Sequence, residues 1–568
     1  MLLSSASYVA TVVTLLTLFL IAPRLAAFVF RSVFRLLGWL FSKKYQWKRE
    51  LIRSRVRFDE EEFQSKRSIS LKHEDDDWEK VETAGIGTAT NGDAAGEDWE
   101  GIIGFLHPFC NAGGGGERVL WAAVRATQQR WPKAICAIYT GDIDVDKTTM
   151  LDKIESRFNI RLYPPTVILL YLSTRRYVLS NLYPRFTLLG QSVGSLILGY
   201  DAFHLLIPDI LIDTMGYSFV LALCHLLFPS IPTAAYVHYP TISTDMLDSL
   251  DDTSGTKGLN AGAGTGWKGY AKRRYWHAFA KLYGWVGGTI DVVMCNSSWT
   301  SAHISSLWLP SRKKRREYKE PTVVFPPVAV SELESIEIDL THEREAREPI
   351  ILYIAQFRPE KNHSLILRAF ARFLKEFKNT QSSPSTSSSS ITTATTKSPQ
   401  LIFIGSVRHS SPDETHIYNL RLLAHELKIR NTTTFICDAT WPTILDHLRR
   451  ASIGANAMWN EHFGIGVVEY QAAGLISVVH NSGGPKQDIV VDLGEGGTGF
   501  RATTETEFAA AFEAALALPD EEKVAMRMRA RDSARRFAGE VFAEKWGGEM
   551  EKLIALERKR GTGERKQN

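Results

Sequence analysis

Cysteine is scarce and scattered in this 568-residue chain: Cys110, Cys136, Cys224, Cys295 and Cys437 make an odd five with no CxxC pair. That excludes a disulfide framework and leaves a structural zinc site without a ligand set. Excess charge is also missing. Lys and Arg total 67 against 63 Asp and Glu, a net charge of +4, so the electrostatic footprint of a nucleic-acid binder is absent. Mean hydropathy is slightly negative, which excludes a polytopic membrane protein. Metal ligation has little to draw on, because the D-x-D spacing in DIDVD (142 to 146) follows a strand-like run and reads as a turn.

One apolar run is present. Ser7 to Pro23 carries no charge and is about long enough for the ~30 Å hydrocarbon layer of a bilayer. Beyond it, Arg24, Arg31 and Arg35 fall on one face of a continuing helix whose other face holds Ala26, Phe28, Val29, Phe30, Phe34, Leu36 and Leu37, the pattern of an interfacial helix. Basic residues accumulate from Lys43 to Arg57, and none precedes the run. The positive-inside rule therefore places everything after Arg24 in the cytosol. A cleaved signal peptide would have its basic residues on the other side.

From Gly101 onward, short β-type runs alternate with helical stretches: GIIGFLH, AICAIYT, DILIDTMG, AAYVHYP, DVVMCNS and TVVFPPV. After a Glu/Arg-rich connection (331 to 348) a second series follows, IILYIAQF, LIFIGSV, TTTFICDA, IGANAMW and ISVVHNSGG. Such alternation predicts two α/β domains with parallel sheets. The expected division is a membrane anchor and interfacial helix over 1–40 and a basic then acidic linker over 41–100. The α/β domains take 101–335 and 346–535, and a C-terminal helix and tail take 536–568. Polar tracts at 251–269, 311–320 and 379–400 read as surface insertions. The stretch 187–206, TLLGQSVGSLILGYDAFHLL, suits either a core helix or one resting on a bilayer.

Four clusters can carry chemistry. The glycine run Gly113, Gly114, Gly115 and Gly116 follows the strand GIIGFLH and leads into a helix, so backbone N–H groups there can approach a phosphate or sugar. It matches neither the dinucleotide fingerprint nor the P-loop. In NEHFGIGVVEYQAAG, Glu461 lies in a loop, Gly464 to Gly466 open a helix, and Glu469 stands inside that helix. A carboxylate at each place suits a sugar and a ribose. In YIAQFRPEKNHSLILRAF, Arg358 and Lys361 at a strand end suit the neutralisation of a diphosphate leaving group. His238, ending the strand AAYVH, suits a hydrogen bond to a sugar hydroxyl.

RPEK at 358–361, the pair Glu461 and Glu469 separated by seven residues, and the SGGP that follows resemble the retaining GT-B glycosyltransferases of family 4, over about Gly101 to Leu556. The strings HPFCNAGGGGER, TLLGQSVGS and YVHYPTISTDML resemble the branch of that family that uses GDP-mannose and a dolichol-diphosphate-linked oligosaccharide. The resemblance implies an α/β GT-B fold, two Rossmann-like domains facing a central cleft, with one N-terminal transmembrane helix. It implies that Glu469 holds the ribose, and that Glu461 with the backbone at Gly464, Ile465 and Gly466 faces the donor sugar. Lys361 meets the diphosphate, and His238 and Gly113 to Gly116 line the same cleft. The usual string G-R-L-x-P-E-K would put an arginine at Gln356; Arg358, two positions later, is left to take its place. No metal or other cofactor is expected. The implied partners are the endoplasmic-reticulum membrane and other mannosyltransferases of the pathway, with the catalytic domains cytosolic. The alternatives are a family-4 transferase with a different lipid-linked acceptor, or a silent scaffold subunit. Retention of Glu461, Glu469, Lys361 and His238 together weighs against the latter.

Overall fold

The computed structural model describes residues 23–70, 99–252, 262–314, 319–382, 397–408 and 411–565. Of the expected membrane span only Pro23 lies among them; the acidic stretch 71–98 and most of the polar insertions, 253–261, 315–318 and 383–396, lie outside.

Two wholly parallel sheets organise the chain. The first contains β1 (Ile102–Leu106), β2 (Ile135–Thr140), β3 (Val167–Tyr171), β4 (Ile210–Asp213), β5 (Thr233–Val237), β6 (Val292–Cys295) and β7 (Thr322–Val323), in the order β3-β2-β1-β4-β5-β6-β7. The second contains β8 (Glu348–Ile354), β9 (Gln400–Gly405), β10 (Thr433–Cys437), β11 (Ala451–Asn456), β12 (Ile476–His480) and β13 (Gly499–Ala502), in the order β10-β9-β8-β11-β12-β13. Strands covered on both faces read as unbroken apolar runs, and β1, β2, β4, β5 and β6 are buried throughout. Two strands do not appear in the sequence series, β3 and β13. Both are edge strands and partly exposed; β13 (GFRA) is short and interrupted by Gly499 and Arg501, whereas β3 (VILLY) is an apolar run that the series omits.

Each sheet reverses its strand order once, between β1 and β4 in the first and between β8 and β11 in the second. A crevice opens outside the carboxyl ends of strands at such a reversal. The glycine run follows β1, Lys361 follows β8 and Glu461 follows β11, so these elements emerge at the two reversal points. The last helix, Gly539–Arg565, leaves the second domain and returns to the first. Phe542, Trp546, Met550, Leu553 and Ile554 join its core, and Trp546 Nε1 donates to Thr127 Oγ1 at 3.0 Å.

The segment 41–70 is not part of a linker. It continues one helix, Pro23–Ser70, and lies along the first domain. Val56 is buried there, Phe41 and Ile52 pack on the same core, and Arg49 pairs with Asp209 at 2.5 Å while donating to the Ile207 carbonyl. Phe41, Tyr45, Ile52 and Val56 share a helical face, a periodicity that the surrounding basic residues conceal. Upstream, Leu25, Phe28, Phe30, Leu36, Leu37, Trp39 and Leu40 are exposed. Within Arg24–Lys66 this helix is long and apolar enough, by length and composition, to cross a membrane. It approaches the helix Ser218–Leu227 so closely that a side chain at Gly38 would strike the Leu227 backbone. Gly38→Val is therefore expected to lift the helix from the body at a cost of about 1–3 kcal/mol. Faster hydrogen exchange over 41–58, with the second domain unaffected, would show this.

Candidate active site

The glycine run is held by Arg157 and by Glu117. Gly113 adopts φ +79°, where a Cβ would also meet Arg157, and the Arg157 Nε donates to the Gly113 carbonyl at 2.7 Å. The Gly114 N–H donates to Glu117 Oε2 at 2.5 Å, so the first turn of the helix Gly115–Arg130 caps itself. Glu117 Oε1 in turn lies 3.5 Å from His107 Nε2, and His107 Nδ1 is 2.8 Å from the Thr214 hydroxyl. Burial pushes the Glu117 carboxyl up, but His107 and the Gly114 N–H outweigh it and hold it below the usual range.

His238, at the end of β5, faces this loop. Its Nε2 is buried without a hydrogen-bond partner and would lie 3.7 Å from a Cβ placed on Gly116. Burial, reinforced by His107, pushes the imidazole down to about 4, so the ring is neutral near pH 7. A neutral ring with one unsatisfied nitrogen, turned to a glycine loop, is ready to bond a polar ligand.

The second domain supplies the charged groups. Lys361 Nζ donates to Glu461 Oε2 at 2.5 Å and approaches Met458 Sδ at 3.1 Å, and Tyr353 Oη donates to the Lys361 carbonyl. Burial raises the Glu461 carboxyl, yet Lys361 and His462 pull it below the ordinary range, so it stays ionised beside the ammonium. The Glu461 loop is fixed by the turn after β12. Gly484 N donates to the Glu461 carbonyl at 2.7 Å, and Ser482 Oγ accepts from Asn460 N at 2.7 Å. The helix Ile465–Ala472 begins at Gly464, which takes φ +105°.

Glu469, inside that helix, meets Arg118 of the first domain across the cleft at 3.7 Å. Burial raises its carboxyl, and Arg118 opposes this only in part. A Cβ on Gly115 would stand 2.7 Å from Ile465 Cδ1, so the two glycine-bordered loops face each other. The structure thus brings Gly113 to Gly116, His238, Gly464 to Gly466, Glu461, Glu469 and Lys361 to one cleft. Arg358 behaves differently. Among the described residues no side-chain hydrogen bond joins it to Lys361 or Glu461; its Nε is unpartnered, and its charge acts on Asp413, where Arg408 acts more strongly. In DIDVD, Asp142 pairs with Arg175 and accepts from Asn111 N, and Asp146 caps the helix Lys147–Phe158 through Thr149.

A family model described as the ALG11 mannosyltransferase N-terminus matches residues 100–308, and one described as glycosyl transferases group 1 matches 337–536. The GDP-Man:Man(3)GlcNAc(2)-PP-Dol α-1,2-mannosyltransferase of Neurospora crassa is 53% identical over 555 residues, covering 95% of this chain and 96% of that one. The chain belongs to the ALG11 mannosyltransferase family. Its Xenopus tropicalis relative of the same description is 42% identical, covering 80% of this chain and 87% of that one. An α,α-trehalose 6-phosphate synthase from Burkholderia multivorans shares the fold, with a TM-score of 0.57 at 13% identity over 80% of this chain and 99% of that one. This ALG11-family chain is a glycosyltransferase of GT-B fold.

Several residues of this ALG11-family cleft are not singled out by sequence reasoning. Arg118 directly follows the glycine run and Glu117, and that position gave a signal. Asp245, Asn460 and His462 gave none, because their partners are remote in the chain; His107, although ten residues from Glu117, gave none either.

Proposed function

We propose that the chain transfers mannose from GDP-mannose to Man3GlcNAc2-diphosphodolichol and then again, building Man5GlcNAc2 through α-1,2 linkages on the cytosolic face of the endoplasmic reticulum. The observation that carries this reading is the Lys361–Glu461 pair at the reversal point of the donor sheet, with Glu469 one helix turn beyond. The names of the relatives supply the donor and acceptor. Lys361 neutralises charge building on the departing diphosphate. Glu469, whose carboxylate is paired across the cleft with Arg118, takes the ribose hydroxyls, and His238 bonds a donor-sugar hydroxyl. Glu461 orients Lys361 and faces the sugar. In a front-side displacement the acceptor oxygen bonds the anomeric carbon as the bond to the β-phosphate oxygen breaks. The acceptor proton passes to that leaving oxygen, so α configuration is kept and no metal is required. The apolar stretch at the start of the helix Pro23–Ser70 brings the cleft beside its membrane-borne acceptor.

Donor discrimination tests this. Purified chain with acceptor and EDTA should add hexose from GDP-mannose and none from UDP-glucose or UDP-N-acetylglucosamine. Transfer from a UDP-sugar alone, or complete loss of transfer in EDTA, would reject the reading.

A further inference from the structure

We infer that Asp245 is a positioning residue which, on the mannosyltransferase reading above, sets the Glu461 loop into reacting geometry by bridging the two domains. Its Oδ2 collects groups from both sides of the cleft. Trp299 Nε1 donates at 3.2 Å and His303 Nε2 lies at 3.3 Å, both from the helix Ser298–Arg312 of the first domain. Asn460 Nδ2 donates at 2.6 Å from the second domain. With Nε2 turned to Asp245, His303 engages the Thr244 hydroxyl through Nδ1 at 2.6 Å, which fixes the ring. Asn460 is next to Glu461 and holds φ +50°, a left-handed conformation that asparagine adopts more readily than most residues.

The other neighbour of Glu461 is gripped as well. His462 stacks on Tyr239 with centroids 4.0 Å apart and lies 5.6 Å from Trp299, both in the first domain. Glu461 is therefore flanked by two residues seated on the opposite domain, Asn460 by hydrogen bond and His462 by ring contact. The Glu461 backbone is thereby tied to the first domain on both sides. Asp245 lies seven residues after His238 in the first domain, so it ties that domain to the donor-side carboxylate through Asn460.

The test is kinetic. Asp245→Ala is expected to lower kcat about 30-fold while changing KM for GDP-mannose less than about 3-fold, with the melting temperature kept within a few degrees. Asn460→Gly removes the amide but tolerates the left-handed backbone, and should lower kcat by a similar factor. The double variant should be no slower than the worse single variant, because both remove the same contact. Asp245→Asn retains an acceptor oxygen and should recover part of kcat. Multiplicative losses in the double variant, or a kcat unchanged in Asp245→Ala, would overturn the inference while wild-type transfer stands. An inactive wild type would instead reject the mannosyltransferase reading.

Discussion

Glu461→Gln should lower kcat for mannose transfer by about 10³-fold, with KM for GDP-mannose little changed and the protein folded. The substitution keeps shape and removes charge. In the native cleft the carboxylate stays ionised in spite of burial because Lys361 stands 2.5 Å away, and each group holds the other in place. Without the negative charge, Lys361 loses the contact that aims it at the diphosphate, and the leaving group departs from a poorly organised site. Lys361→Ala should be as slow and less stable, by about 3–5 kcal/mol, since it leaves a largely buried carboxylate without its cation. Lys361→Arg should not restore the rate, because a planar guanidinium cannot occupy the place of a point charge wedged between Glu461 and Met458. Initial rates with thermal melts on each variant check these effects. Undiminished rates would reject the assigned roles.

The second large effect is expected at Gly483, which no ligand need touch. Gly483 has φ +67°, and a Cβ there would come within 2.8 Å of the Glu461 backbone nitrogen and strike its carbonyl oxygen. Backbone atoms cannot swing aside as a flexible side chain does. Gly483→Ala must therefore move the Glu461 loop and break the hydrogen bond from Gly484 N to the Glu461 carbonyl. The backbone conformation alone costs about 1–3 kcal/mol. A displacement near 1 Å at the reacting centre should cost about 10²-fold in kcat. Gly494→Ala is the control: it also has positive φ, at +90°, but a Cβ there meets nothing within 4 Å. It should lower stability without the same loss of rate.

These two predictions mark where sequence reading ends. Lys361, Glu461 and Glu469 are legible through their context, a cation in the loop after a strand and two carboxylates bracketing a glycine entry into a helix. That Lys361 pairs with Glu461, and Glu469 with Arg118, was not legible, since each pair is joined only by folding. The same holds for Asp245, whose second-domain partner Asn460 is 215 residues away. Strands such as β1 and β11 announced themselves because both faces are buried, whereas β13, short and half exposed at its edge, did not. The helix over 41–70 was hidden by its own charges: Lys48 and Arg49 count toward the basic run that sets membrane orientation, but each also reaches a partner on the first domain. Arg358 differs from Lys361: among the described residues its Nε has no partner and its charge acts on Asp413.

The most direct measurement incubates the full chain with GDP-mannose and Man3GlcNAc2-diphospholipid, and follows product mass and GDP release together. Two successive hexose additions, each matched by one GDP and both removed by an α-1,2-specific mannosidase, are predicted. No addition under conditions where a control transferase is active, or products that resist that mannosidase, would contradict the account.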